Sequence, residues 1–518
     1  MGRSMLSTGL VLYSQLGESG PHTATMSRMA DDVDRRIGAR SFARLLGDWR
    51  PPGGRGLTAA LADRVRLLVL DGRLPLQMRV PAERELAAAL DVSRTTVAAA
   101  YEVLREAGIL HSRRGAGSWT QLPPGIAASG VSSPFSPHGD RTLYDLAHAS
   151  LAAPATELRA AAALAVEDLD AHLSGHGYDL LGLPVLRAAI ARRFTARGLP
   201  TTADQVLVTA GGQAAIALVL AALTTPGDRV LVEHPTYPNA LDAVHARGAR
   251  CVPVPLDLDS AGADAWDLDL VTAAMRDAAP RLAYLVPDHQ NPTGALLDGA
   301  GRERLVALAR RTGTPLLIDE TLAELTLVGS SEAPVAAHGA PDSALVITIG
   351  SAAKVLWGGL RIGWIRTAAP TIRRLAALRA ATDLGGPVLE QLIATRLIDD
   401  LEPVVQARRA ELTEARDHLL GRLGDAFPSW RPSHPTGGLS LWVDLGAPVS
   451  SRLVGAARRQ DVLLAAGPRF GLAGAFERYL RVPYTLRRDR VEPALDRLVA
   501  AWHTLDESHP ETEPVAVA

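Results

Sequence analysis

Thr348-Ile-Gly-Ser-Ala-Ala-Lys-Val-Leu-Trp-Gly-Gly-Leu-Arg-Ile-Gly-Trp364 contains Lys354, the single lysine in a chain of 518 residues with 54 lysines and arginines. A composition that renders almost every cation as arginine keeps a lysine where arginine cannot replace it, and covalent amine chemistry is such a place. A guanidinium stays protonated, whereas a desolvated lysine amine loses its proton and condenses with an aldehyde. The β-branched run before Lys354 reads as a strand that enters a Ser/Gly turn, and the Gly-Gly-Leu-Arg segment after it brings a guanidinium close. An imine-forming amine flanked by a hydroxyl and an arginine for a phosphate is what a pyridoxal-phosphate pocket requires. The bland alternative is chance survival of a surface lysine.

Working outward, five apolar runs, this one included, alternate with amphipathic helical stretches: Gln205–Thr209, Arg229–Glu233, Leu282–Val286, Pro315–Asp319 and Leu345–Ile349. Strands separated by crossover helices predict an α/β fold with a mainly parallel sheet between helices. Several strand ends carry chemistry suited to the same pocket. Thr209-Ala-Gly-Gly-Gln213 is a Gly-rich strand-to-helix turn whose backbone amides suit a phosphate, although such turns are common in α/β proteins. Asp319 closes a buried strand and can keep a pyridine nitrogen protonated; otherwise it is a helix cap. Asn291-Pro-Thr-Gly294 offers an amide for a ring oxygen, or is an ordinary turn. Tyr237 follows a strand and can stack on a ring.

The first part of the chain has a different character. Residues 1–40 are polar and aperiodic and are expected to form a disordered arm, with Met26 and Met29 as alternative starts. The next unit is assigned to 41–120, with its core at 57–120. Leu57–Leu70 has helical spacing, and Pro81 is expected at the first position of a helix running to Leu90. Ser93 should cap a third helix that exposes Arg94, Thr95 and Thr96 at its N-terminus, where a recognition helix meets a major groove. Two short strands around Arg113-Arg114-Gly115 would form a basic wing. Nine arginines oppose seven carboxylates between Leu57 and Thr120, so placement rather than net charge carries the DNA-binding reading. A helical oligomerisation module is the alternative. Residues 121–142, rich in Pro, Gly and Ser, are expected to be a linker, 143–505 the α/β domain, and 506–518 a frayed tail.

Composition narrows the remainder. The net charge of −2 confines any DNA-binding surface to a local patch. One cysteine, Cys251, excludes an internal disulfide framework and fits a reducing compartment; its segment, Arg-Cys-Val-Pro-Val-Pro, reads as a buried strand. No apolar stretch reaches the roughly 18 to 20 residues of a membrane span, no metal site is expected, and the expected location is the cytoplasm.

Two resemblances add to this reading. Pro81-x-Glu-Arg-Glu-Leu-Ala87, Val92-Ser-Arg-x-Thr-Val97 and Tyr101 resemble the winged helix-turn-helix of the GntR regulators over about 60 residues. That resemblance implies double-stranded DNA as a partner, with Arg84, Arg94, Thr96, Arg114 and Gly115 as contacts. Residues 145–505 resemble the fold-type I aminotransferases. That implies pyridoxal 5'-phosphate as cofactor, with Lys354 as its Schiff-base lysine, Asp319 as pyridine partner, and Asn291 and Tyr237 as ring contacts. Gly212, Gln213, Ser351 and Arg361 become the phosphate cup, Tyr178 reaches the neighbouring subunit's phosphate, and Arg481 grips a substrate carboxylate. One departure stands out: where the family places a tyrosine two or three residues after the aspartate, this chain has Thr321 and Leu322. Together the two parts resemble the MocR-like regulators, which implies a head-to-tail homodimer that senses the cofactor or an amino acid or amine effector through an aldimine at Lys354. The rival is an active aminotransferase carrying a DNA-binding domain.

Overall fold

The computed structural model describes residues 36–47, 49–51, 56–70, 74, 78–113, 117–121, 143–258, 260, 262–472 and 474–506. They fall into two compact units that divide near residue 132. The expected linker beyond residue 121, the arm up to residue 35, the tail from 507, and Arg114 and Gly115 lie outside the described residues.

The first unit contains helices α1 (Ala39–Leu46), α2 (Leu57–Leu70), α3 (Glu83–Leu90) and α4 (Arg94–Glu106), followed by an antiparallel hairpin of β1 (Leu110–Arg113) and β2 (Gly117–Thr120). Leu61, Val65, Leu68, Leu86, Val97, Tyr101 and Leu104 interlock in one core. The buried Tyr101 hydroxyl donates to Pro81 O at 2.9 Å. Two expectations need correction. The arm was expected to run to residue 40, but Arg36 already bridges to Arg79, and α1 buries Phe42 and Leu46 in the same core. Pro81 does not open a helix either: α3 starts at Glu83 with Ala82 as its cap, leaving the Pro81 carbonyl free to accept from Tyr101.

The second unit begins with β3 (Tyr144–Leu146), α5 (Ala155–Asp168), α6 (Pro184–Ala196), β4 (Val206–Thr209), α7 (Gly212–Leu223), β5 (Arg229–His234) and α8 (Pro238–Ala246). It continues through β6 (Arg250–Pro255), α9 (Leu268–Ala278), β7 (Leu282–Leu285), α10 (Gly299–Thr312), β8 (Leu316–Asp319), β9 (Val346–Ser351) and β10 (Gly363–Arg366). It ends with α11 (Ala369–Arg379), α12 (Val388–Asp399), α13 (Leu401–Ala426), β11 (Arg431–Pro432), β12 (Ser440–Asp444), α14 (Ser450–Arg459), β13 (Val462–Ala466), β14 (Tyr479–Pro483) and α15 (Arg488–Asp506). No described helix is long and apolar enough to cross a membrane.

The large sheet has seven strands in the order β4-β10-β9-β8-β7-β5-β6. It is parallel except for β10, which runs against both neighbours. Alternate side chains enter two separate cores: Leu231, Ala283, Leu285, Leu316 and Ile318 on one face, and Val230, Val232, Leu282, Tyr284 and Leu317 on the other. Burial on both faces explains the unbroken apolar runs. Cys251 does not sit in a buried strand: β6 is the sheet edge, where only Val254 is fully buried, and its two prolines suit an edge that needs no further donors. A five-stranded sheet, β11-β12-β14-β13-β3, completes the unit and pairs β3 in parallel with β13.

Arg302 on α10 is fully buried and clamps the loop after β7. It donates to Asp288 Oδ1 at 2.8 Å and to the carbonyls of Leu297 and Ala333. Removing one member of a buried pair leaves the other charge uncompensated, so Arg302→Ala should destabilise the unit by about 3 to 5 kcal/mol. Arg304→Ala, whose partner Asp269 is exposed, should change little. Urea unfolding followed by tryptophan fluorescence measures both, and equal midpoints for the two variants would remove the structural role given to the Arg302–Asp288 pair.

Candidate functional site

The chemistry gathers where the parallel strands end. The turn after β4 brings Gly212 and Gln213, the segment after β5 brings Tyr237, and the loop after β7 brings Asn291. β8 ends on Asp319, and β9 runs through Ser351 into the short helical turn 353–357 that holds Lys354. Open parallel sheets bind ligands at this edge. A cavity of about 560 Å³ opens there, lined by Lys354, Asp319, Asn291, Tyr237, Gly212, Gln213, Ser351 and Arg361. Eight residues expected from sequence to share a pocket therefore do so. Arg481 adjoins it, donating from Nη1 to Asn291 Oδ1 at 3.2 Å. Tyr178 does not line it and is 66% exposed.

Lys354 is part-buried and donates from Nζ to Ala149 O at 2.8 Å. Burial and the nearby Arg481 charge push its amine down to about 8, against the opposing pull of Asp319. Asp319 is buried and accepts from the Tyr284 hydroxyl at 2.8 Å and from Thr321 N at 3.0 Å. Burial raises its carboxyl, while those bonds and the Lys354 charge restrain the shift. Tyr237, held by Asn239 Nδ2 at 2.9 Å, has its phenol pushed up by burial and by Asp319. Burial pushes Arg481 down to about 10, and its guanidinium stacks 4.9 Å from the centre of the Phe470 ring.

One end of the cavity suits an anion. The N-terminus of α7 faces it, Ser351 lines it, and Arg361 folds back on Ala210 O at 2.7 Å. Close packing depends on Gly211, at φ +87°, where an added Cβ would lie 2.8 Å from Arg361 Nη2. Gly363 is equally constrained, since a Cβ there would meet the Gly211 backbone at 2.4 Å. Three buried polar atoms at the cavity lack protein partners: Gln213 Oε1, His289 Nδ1 and Arg481 Nε.

Sequence reading missed three residues. Tyr284, whose hydroxyl holds Asp319, lies in an otherwise aliphatic strand; a buried phenol there signals a polar partner. Glu233 at the end of β5 accepts from Trp266 Nε1, Val286 N and Gln290 Nε2, tying the Tyr237 segment to the Asn291 turn. Burial pushes its carboxyl up to about 7. His289 lines the cavity and burial pushes its ring down to about 4. No local signal in the sequence marks Glu233 or His289.

In the first unit, Ser93 Oγ accepts from Thr96 N at 3.0 Å, so the cap forms as expected, and the Thr95 and Thr96 hydroxyls gather on it. Arg84, Arg94 and Thr95 are exposed at the starts of α3 and α4, and Thr96 is half-buried. Arg94 lies 3.6 Å from Glu83. Arg113 ends β1, pairing in register with Gly117.

Comparison with known proteins matches both units. The family "Aminotransferase class I and II" matches residues 147–498, and "Bacterial regulatory proteins, gntR family" matches 57–119. The 2-aminoadipate transaminase of Thermus thermophilus is 30% identical over 315 residues, covering 59% of this chain and 77% of that protein. The probable rhizopine catabolism regulatory protein MocR of Rhizobium meliloti is 32% identical over 334 residues, 59% of this chain and 64% of its own. The HTH-type transcriptional regulator YisV of Bacillus subtilis is 25% identical across 77% of this chain and 86% of its own. Among solved structures, the α-aminoadipate aminotransferase LysN from Thermus thermophilus, complexed with N-(5'-phosphopyridoxyl)-L-leucine, superposes with a TM-score of 0.65 at 26% identity, covering 71% of this chain and 94% of LysN. Pyridoxal 5'-phosphate is the cofactor of this family. The cavity fits it: an amine of lowered basicity, a buried carboxylate and an anion-binding helix end share one space, with the Gln213 and Arg481 atoms still unsatisfied. The chain belongs to the aminotransferase class I and II family and carries a GntR-family DNA-binding domain ahead of it, the architecture of the MocR-like regulators.

Proposed function

We propose that the large unit of this DNA-binding regulator holds pyridoxal phosphate covalently at Lys354 and takes an amino acid or amine as effector. The observation that carries this reading is Lys354 itself: the chain's one lysine lies in the same cavity as Asp319, with its amine held near 8. When bound, the cofactor supplies an electrophilic carbonyl and an electron-withdrawing ring. Asp319 keeps a proton on the ring nitrogen, Asn291 donates to the ring oxygen, and Tyr237 packs on the ring face. The Gly212 and Gln213 amides, the Ser351 hydroxyl and the Arg361 guanidinium take the phosphate. Arg481 offers Nε and one neighbouring N–H to a carboxylate. The exposed Tyr178 reaches the partner's phosphate in a head-to-tail dimer.

The rival reading, a working aminotransferase with a DNA-binding appendage, draws on Lys354 and Arg481. The regulator reading is favoured by the GntR domain and by Thr321 and Leu322, which line the cavity where the family has a phenol. Tyr284 does not replace that phenol, because its hydroxyl is committed to Asp319.

Borohydride reduction of the cofactor-loaded protein should fix the pyridoxyl group on the Lys354 peptide. Capture requires the neutral amine, so its rate should rise about tenfold per pH unit up to about 8 and then level off. Arg481→Leu, which removes a depressing charge, should shift the midpoint upward. Label found only at the N-terminus would sink the cofactor site.

Stopped-flow mixing of the loaded protein with common amino acids should give conversion well below about 1 per second, the lower end of ordinary turnover. Conversion at enzyme-like rates would favour the aminotransferase.

For DNA, Arg94→Ala should relax base discrimination by about 1 to 3 kcal/mol if it contacts a base edge with both prongs. Arg114→Ala, at the wing expected from sequence, should weaken all sequences alike and flatten log K against log salt by about one unit. Titrations on operator and scrambled duplexes at several salt concentrations decide between them. If neither variant changes affinity, the oligomerisation-module alternative stands.

A further inference from the structure

Between β3 and α5 the chain passes along the cavity, and Ala149 and Ser150 form part of its lining. Four side chains from elsewhere in the unit hold this stretch by its carbonyls. Arg481 Nη2 donates to Ala147 O, Thr485 Oγ1 to His148 O at 3.3 Å, Lys354 Nζ to Ala149 O at 2.8 Å, and Arg408 Nη2 to Ala152 O. Two of these four donors, Lys354 and Arg481, are the groups through which the site would hold its ligands. The other two do not line the cavity.

We propose that residues 147–152 are a strap that the cofactor and the effector carboxylate release in turn, so that occupancy of the site is registered in the segment after β3, the first strand beyond the expected linker. This rests on the reading of Lys354 and Arg481 given above and adds the regulation of that site.

The competition follows from donor geometry. The Lys354 nitrogen reaches Ala149 O as a free amine; once bonded to the cofactor's carbon it is drawn toward the ring and gives up that carbonyl. Arg481 spends Nη1 on Asn291 and Nη2 on Ala147 O, while Nε is buried without a partner. A carboxylate binding with two prongs to the Nε–Nη2 edge satisfies the orphan Nε and displaces Ala147 O from Nη2. The cofactor therefore releases the Ala149 carbonyl and the carboxylate releases the Ala147 carbonyl, while Asp145 Oδ1 still accepts from Ala147 N at 2.9 Å and His148 N at 3.0 Å. Beyond these points the strap stays anchored: β3 remains paired with β13, and Arg408, which also donates to Val355 O at 3.3 Å, holds the far end. The freed stretch is short and bounded on both sides, as a two-state element must be if it is to respond without unfolding its surroundings.

Hydrogen–deuterium exchange of the full chain, read on the peptide spanning 143–152, tests this in four states: stripped of cofactor, loaded with pyridoxal phosphate, loaded with propionate added, and loaded with propanol added. Loading should speed exchange about fivefold, the scale expected from losing one hydrogen bond. Propionate, which has the carboxylate but no amine to displace Lys354, should speed it further, and propanol, which lacks the carboxylate, should not. Lys354→Ala should exchange at the loaded rate and ignore added cofactor. Thr485→Val should raise the baseline yet keep the response to loading, which separates the strap from general loosening. The mass of the reduced adduct is measured on the same samples. An adduct at Lys354 with unchanged or slower strap exchange overturns the strap and leaves the cofactor reading intact, whereas absence of the adduct overturns both.

Discussion

The buried carboxylate of Asp319 is the constraint around which the second unit is arranged. Burial alone would favour its neutral acid, and it is kept serviceable as an anion by the Tyr284 hydroxyl, the Thr321 amide and the Lys354 charge. Each partner comes from a different strand or strand end, so the carboxylate is satisfied only when β7, β8 and β9 are in register. Burial at the same convergence lowers the basicity of Lys354, with the Arg481 guanidinium adding to the effect and the Asp319 carboxylate opposing it. Fold and chemistry are thus one problem here: the sheet that buries Leu316, Leu317 and Ile318 also delivers the acid at its end.

The replacement of the family's phenol by Thr321 and Leu322 changes the balance on the other side of the cavity. Leu322 is buried and apolar, and Thr321 donates its backbone amide to Asp319. On the proposed reading the binding contacts survive this change, whereas a proton relay that depends on a phenol beside the ring oxygen does not. A site that keeps its grip and loses a catalytic contact suits a receptor better than a fast catalyst.

Much of this was legible in the sequence, for identifiable reasons. The five expected strands all form, because strands buried on both faces read as unbroken apolar runs, and the Ser93 cap forms because a short hydroxyl ahead of a helical pattern has one good use. Eight pocket residues were recognisable because each stands at a strand end beside Gly, Pro or a lone charge. What escaped depends on long-range contact. α1 is short and amphipathic, and its packing against α3 and α2 makes it a helix worth forming. β6 looked buried because its composition is apolar, although its position at the sheet edge is set by strand order, which no local pattern encodes. Tyr284, Glu233 and His289 act through partners tens of residues away in the chain, and Pro81 looked like a helix start because its carbonyl's partner, Tyr101, lies on another helix.

The small sheet of the second unit joins opposite ends of that unit: β3, its first strand, pairs with β13, close to its last. During synthesis β3 leaves the ribosome without a partner and must wait until Val462–Ala466 has been made. By then the chain of the first unit is long complete, and the seven strands of the large sheet are already available to one another. Such non-local pairing is slow to form and late to contribute. The DNA-binding unit therefore has the opportunity to fold before the ligand-binding unit is able to close, and nascent or truncated chains ending before β13 would carry the former without a finished version of the latter.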